Sequence, residues 1–175
     1  MTDVFKEQIV KRKPPFRNVL IRVGLIFAVI IIVFLSFLLL QGFGAVIAMG
    51  AAFGAAYVMS FLNVEYEYAL TNGELDIDII YNKARRKRQI SVNVKEFEIM
   101  AHIDDKAHEH TFTTAQVTRD FSSGTPGNDT YRFLTIINGK KTIVIFDPNE
   151  KMLKAISSVI SRRKLHLRPG VVLVS

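Results

Sequence analysis

The densest chemical feature of the chain is Lys83-Ala84-Arg85-Arg86-Lys87-Arg88, five cations in six residues. Ammonium and guanidinium groups at that density suit a surface of phosphates, and near a charged leaflet each contributes about 1 kcal/mol. Lys11, Arg12 and Lys13 make a second, smaller basic group. These eight residues are the candidates for contact with anionic lipid headgroups. The alternative for both groups is a solvated turn that only sets topology.

His102, Asp104, Asp105, His108, Glu109 and His110 gather imidazole and carboxylate donors. If the segment is extended, His108 and His110 share a face and could ligate zinc together with a carboxylate. Their spacing matches no established site and the region reads as an exposed turn, so no metal and no cofactor is assigned. Catalysis finds less support. There is no G-x-S-x-G, no H-E-x-x-H, no phosphate-binding loop and no cysteine. Ser122-Ser123-Gly124 reads as a loop, and Asp76 and Asp78 as the wet side of a strand. No catalytic residue is assigned, and the chain is expected not to be an enzyme.

The elements that must position these groups begin with Val23 to Leu62, which carries no ionisable side chain. Val23–Leu40 and Phe43–Leu62 are two apolar runs separated by Gln41-Gly42, each about 27–30 Å long as a helix and so about one hydrocarbon core. In lipid the backbone polar groups have no water to bond, which leaves helix as the conformation for both. The spacing predicts a transmembrane hairpin over 23–62. Its first run is rich in Ile, Val, Phe and Leu, whereas the second is rich in Gly and Ala. A G-x-x-x-G at Gly50 and Gly54 predicts a close helix packing face, toward the first span or toward a second copy of the chain.

Of the net charge of +7, residues 1–22 carry six Lys/Arg against Asp3 and Glu7, while residues 63–175 carry 17 against 14 acids. A basic excess beside the first apolar run is the pattern of a segment held on the cytoplasmic side. The near balance of the rest argues against nucleic acid as a partner. The apolar run is longer than the core of a secretory signal and continues into a second, so no cleavage is expected. Residues 1–22 read as a polar arm, briefly helical around Phe5 to Val10 and interrupted by Pro14-Pro15.

From Asn63 the hydropathy alternates with period two. Val64, Tyr66, Tyr68 and Leu70 share a face against Glu65 and Glu67. After Thr71-Asn72-Gly73, Leu75, Ile77 and Ile79 alternate with Asp76 and Asp78. Asn-Gly between two such runs predicts a hairpin. Further strands are predicted with Ile90 and Val92 inward, over Phe97 to Ile103, near Gln116 to Phe121, and at Tyr131–Ile137 and Lys141–Phe146 around Asn138-Gly139. Asp147-Pro148-Asn149-Glu150 then predicts a helix capped at Asp147, with Met152, Leu153, Ile156, Val159 and Ile160 as its apolar stripe.

Meander strands closed by one C-terminal amphipathic helix resemble the order of a pleckstrin-homology (PH)-like domain. The segments EYEYALTNGELDIDIIYNKARRKRQI and DFSSGTPGNDTYRF…GKKTIVIFDPNEKMLKAI are similar to domain-of-unknown-function family 6106, among small bacterial two-helix membrane proteins with a PH-like cytoplasmic domain. That resemblance implies an architecture and no activity. PH domains that read phosphoinositides place their basic residues chiefly in the first hairpin loop, which here is TNGE and lacks them. The expected organisation is a basic cytoplasmic arm (1–22), a two-helix transmembrane hairpin (23–62), a PH-like cytoplasmic domain (63–165) of curved antiparallel sheet or open barrel with one C-terminal helix, and a tail (166–175). The expected protein is a multi-pass component of the cell membrane with both termini cytoplasmic. Its PH-like domain would bind a protein partner or the anionic membrane surface, with the apolar tail Val171 to Val174 available for strand addition. The alternative is an assembly subunit that forms a homo-oligomer through Gly50 and Gly54.

Overall fold

The computed structural model describes residues 5–39, 41–125, 127 and 129–168, which fall into two compact units. One holds Pro14–Val64 and Tyr81–Arg85; the other holds the described residues of Met1–Lys13, Glu65–Ile80 and Arg86–Ser175.

The first unit is a helical hairpin. Helix α1 (Phe16–Leu39) starts directly after Pro14-Pro15, where a missing N–H costs nothing, and the Pro15 carbonyl accepts from Asn18 N–H at 2.8 Å. It therefore begins well before Val23 and includes Arg17 and Arg22. A 3-10 turn (Gln41–Phe43) leads into α2 (Gly44–Ser60). Only 6% of the apolar window of α1 is buried, whereas the core helix of a water-soluble domain would hide most of it. By length and composition α1 could cross a membrane; α2 is a shorter apolar helix.

The two helices meet along a narrow seam. Leu25, Val29 and Val33 are half-buried and Ser36 is buried on α1, facing Gly44, Ala48, Ala51 and Ala55 at three- and four-residue spacing on α2. The Ser36 hydroxyl donates to the carbonyls of Val33 (2.8 Å) and Gly44 (3.2 Å). A Cβ on Gly44 would lie 2.9 Å from the Ser36 carbonyl oxygen, so only glycine allows this approach. At Gly50 and Gly54 a Cβ would meet nothing within 4 Å. The expected packing of the G-x-x-x-G face against the first helix is thus corrected: Gly44 makes the close contact, and Gly50 and Gly54 look outward.

The second unit contains two sheets. The first has the order β1 (Phe5–Lys11), β2 (Val64–Thr71), β3 (Glu74–Tyr81), β4 (Arg85–Asn93). Strand β1 corrects the expected helical turn in the N-terminal arm. It pairs antiparallel with β2 from Phe5 opposite Thr71 to Lys11 opposite Glu65. A helix of seven residues recovers few hydrogen bonds for the cost of nucleation, whereas the edge of β2 offers a full ladder. The β2–β3 turn is a two-residue reversal with Asn72 (φ 51°) and Gly73 (φ 89°) both left-handed, and a Cβ on Gly73 would also press on Val159 at 3.0 Å.

The second sheet has the order β6-β8-β7-β5-β9, built from β5 (Ile99–His102), β6 (Val117–Asp120), β7 (Tyr131–Ile137), β8 (Lys140–Phe146) and β9 (Leu165–His166). Strands β7 and β8 turn at Asn138 (φ 51°) and Gly139 (φ 75°). Two pairings are parallel, β6 with β8 and β5 with β9, so the domain is not a simple meander. A single turn of helix, α3 (Glu109–Phe112), connects β5 to β6, and Phe112 joins Ile99, Ala101 and Leu134 in a small cluster. The main core is aromatic. Phe97 stacks on Phe133 (centroids 3.9 Å apart), and Phe133 and Tyr68 each meet Phe146 edge-on.

Helix α4 (Glu150–Val159) packs on β1 and buries Met152, Leu153 and Ile156, as its stripe requires. Its cap is Asn149, whose side chain accepts from Met152 N–H at 2.8 Å, not Asp147. Asp147 is held elsewhere, accepting from Ser123 N–H (2.7 Å) and the Thr130 hydroxyl (2.8 Å). The chain does not close on α4 either: a 3-10 turn (Arg162–Lys164) carries it to β9. Most of the expected tail, with Val171 to Val174, lies outside the described residues.

Candidate functional site

The basic stretch is divided by the fold. Asn82 (φ 49°) and Lys83 (φ 57°) are both left-handed in the β3–β4 turn, and Ala84 N–H closes on the Tyr81 carbonyl at 3.1 Å. Asn82 N–H donates to the Asn63 carbonyl at 3.0 Å, and Arg22 donates to the Asn63 side chain at 2.9 Å. Residues Tyr81–Arg85 consequently belong to the same compact unit as the two helices. Lys83 and Arg85 are exposed there, as is Arg17 at the start of α1. Lys87 is also exposed, and among the described residues none of Lys83, Arg85 and Lys87 stands in an ion pair.

Arg86 and Arg88 are engaged instead. Arg88 pairs with Asp76 (2.9 Å) and Asp78 (3.1 Å), the strand carboxylates that the alternation assigned to a wet face. Arg86 pairs with Glu67 (2.9 Å) and approaches Glu7 at 4.0 Å. Arg12 donates to the Tyr66 hydroxyl, lies 3.9 Å from Asp120 and stands 5.6 Å from the Tyr66 ring centre. Lys11 ends β1, exposed, and Lys13 N–H is fixed to the Ser123 carbonyl at 2.8 Å. Of the eight sequence candidates, among the described residues Lys83, Arg85, Lys87, Lys11 and Lys13 stand in no ion pair, whereas Arg12, Arg86 and Arg88 are tied to carboxylates, the last two while still exposed.

The alternation sets Glu67 on the face opposite Tyr66 and Tyr68, yet beside β1, where Ile9 pairs with it, Glu67 is only 3% exposed. Burial pushes its carboxyl up to about 7; a hydrogen bond with the Glu7 carboxyl acts in the same direction, and Arg86 opposes both. No local pattern could have revealed this, because the covering strand lies more than fifty residues away in the chain.

The histidine-rich segment rearranges in a similar way. His110 sits on the α3 turn and takes no part in the cluster that forms. Asp105, His108 and His166 come together, their donor atoms all within 4.8 Å of one another. His108 Nδ1 lies 2.9 Å from Asp105 Oδ2, and the rings of His108 and His166 stack with centres 3.7 Å apart. Burial works to raise the Asp105 carboxyl, but hydrogen bonds from His108 and from the backbone N–H groups of Ala107 and His108 outweigh it and hold it below the usual range. Burial, and then the neighbouring His108, keep His166 below the ordinary imidazole value. These residues line a cleft of about 720 Å³ with His102, Asp104 and Arg168. His166 escaped the sequence reading because β9 reaches this place only by pairing with β5.

Ser122 donates to Asp120 at 2.6 Å inside its loop, a structural bond that leaves its hydroxyl without a histidine base. One unit is thus a sheet-rich domain with an amphipathic helix packed on it, and the other is an apolar helical segment. The chain matches the family described as a bacterial PH-like domain (DUF6106) over residues 2–166, and it belongs to that family. No curated protein and no solved structure matches it.

Proposed function

We propose that this chain is an integral membrane protein whose hairpin crosses the bilayer twice, and whose PH-like unit serves as a binding module at the anionic cytoplasmic surface. One observation carries the topology. Strand β1 precedes α1 and β2 follows α2, yet the two pair over seven residues. A single crossing would leave them on opposite sides, so any spanning of the bilayer must be even in number. Helix α2, at 17 residues, is about 26 Å long and near the short end of a span.

The lipid contact is assigned to Lys83 and Arg85, with Arg17, because these exposed cations share a unit with the apolar helices. No substrate chemistry is assigned, and the domain is read as a binder, not a catalyst. The absence of cysteine makes the test direct. Single Lys83→Cys, Arg85→Cys and Lys140→Cys chains, carrying a fluorophore, are reconstituted with headgroup-quencher lipid at rising anionic content. Quenching at 83 and 85, exceeding that at 140 and weakening with salt, is the expected result. Equal quenching at all three positions would remove the lipid contact. Gly42→Cys should react only from the face opposite Lys83→Cys, and reaction of both from one face would overturn the double crossing.

A second reading is favoured by the open space at Gly50 and Gly54, which makes that face available to another copy. Gly50→Leu with Gly54→Leu would then abolish a detergent-stable oligomer. A unchanged mass by light scattering would exclude assembly through this face.

A further inference from the structure

We propose that Asp105, His108 and His166 form a binding site for a divalent metal ion of the zinc type, which pins strand β9 to the β5–α3 turn. The donor set is the first ground. Two imidazoles and one carboxylate suit Zn²⁺ and Co²⁺, and are poor ligands for Ca²⁺ or Mg²⁺, which take mostly oxygen. The spacing is the second. Ligands about 2.1 Å from a tetrahedral ion stand about 3.4 Å from each other. The three donor atoms already lie within 4.8 Å of one another, and the Asp105–His108 pair, at 2.9 Å, needs to open by only a few tenths of an ångström.

The support around these ligands is the third ground. Asp105 uses Oδ1 to accept from Ala107 N–H at 2.9 Å, which fixes the carboxylate and leaves Oδ2 directed at His108. Its backbone carbonyl accepts from Arg132 Nη2 at 2.9 Å, and Arg132 is itself held by Glu109 and lies over the Phe112 ring. Such outer contacts orient metal ligands and account for much of a site's affinity. His166 is positioned from the other side, through the parallel pairing of Ala101 with His166. A metal lies in the plane of each imidazole it binds, so the His108 and His166 rings, stacked at 3.7 Å and 22°, must tilt apart about their side-chain torsions to share one ion; the adjoining cleft leaves room for that movement and for a water as the fourth ligand.

A metal here joins segments about sixty residues apart, and β9 itself is a strand of only two residues. An ion that bridges the turn and the strand thus stabilises the folded chain by its own binding free energy.

The full chain, purified in detergent with a tag that contains no histidine and stripped with chelator, is titrated with Co²⁺ and then with Zn²⁺ in competition. The expected result is one equivalent of Co²⁺ with visible absorption bands, displaced by Zn²⁺, and a higher melting temperature with metal. His166→Ala should weaken binding by at least about tenfold, the lower end of what loss of an outer partner alone costs, and remove the thermal shift. Asp105→Asn, nearly identical in shape, should do the same and decides the matter if His166→Ala misfolds. His110→Ala should bind as the parent does. Absence of stoichiometric Co²⁺ binding, undiminished binding in Asp105→Asn, or loss in His110→Ala would each overturn the site. None of these outcomes bears on the lipid contact at Lys83 and Arg85.

Discussion

The helical hairpin and the two-sheet unit are both rich in apolar side chains, and they use them in opposite ways. Phe133, Phe146 and Tyr68 of the sheet unit are fully buried, while Phe34 and Phe53 on the helices stand 67% and 74% exposed. In the sheet unit, water is excluded by packing side chain against side chain. In the hairpin only a thin seam of small residues is closed, and the remaining surface is fit for a solvent that is itself apolar. The lesson extends to charge: a cation is paired with a carboxylate where strands bring them face to face, as at Arg86 and Arg88, and stands in no ion pair where the chain turns beside the helices, as at Lys83 and Arg85.

This contrast is open to attack by mutation. Phe133→Ala should cost about 3–5 kcal/mol in denaturant unfolding followed by the tyrosine signal, whereas Phe34→Ala should leave the midpoint in place. Equal losses would mean that α1 packs as a core helix. Gly44→Ala sharpens the point within the hairpin: overpacking at Ser36 should cost about 1–3 kcal/mol, while Gly54→Ala should be neutral or gain slightly from helix propensity. A penalty at Gly54 alone would relocate the seam.

Acid–base behaviour separates the units further. Glu67 holds its proton in the folded chain up to about pH 7 and loses it near 4.5 when unfolded. Over that window the native state binds more protons, so its stability falls as pH rises from about 4.5 to about 7 and levels off above. Glu67→Gln should flatten this slope, and a parent chain without the slope would show that Arg86 keeps Glu67 ionised throughout. The smallest expected effect is Lys83→Ser, about 1 kcal/mol of lipid attraction with no change in folding stability. Above about pH 7, where Glu67 is ionised, Arg86→Ser should do the reverse, lowering stability by leaving the buried Glu67 without its cation.

Much of the fold was legible because its signals are local. Asn72-Gly73 and Asn138-Gly139 mark their turns, since both residues of such reversals need positive φ, and the Met152-Leu153-Ile156 stripe marks the face of α4. Strand β1 was not legible. FKEQIVK has no clean alternation, and its reason for being extended is the edge of β2, reached only after the whole hairpin has been laid down. The cap of α4 moved for a related reason: Asp147 found better partners in Ser123 and Thr130 than in its own helix.

By itself the sequence determined the apolar runs, the family and most of the hairpins, because hydropathy and turn chemistry act between near neighbours. Tertiary structure alone decided which cations are paired with carboxylates, that Glu67 is buried, that Gly44 and not Gly50 seats the helices, and that His166 joins Asp105 and His108. Each of these depends on segments far apart in the chain, brought together by strand pairing or helix contact that no local pattern encodes.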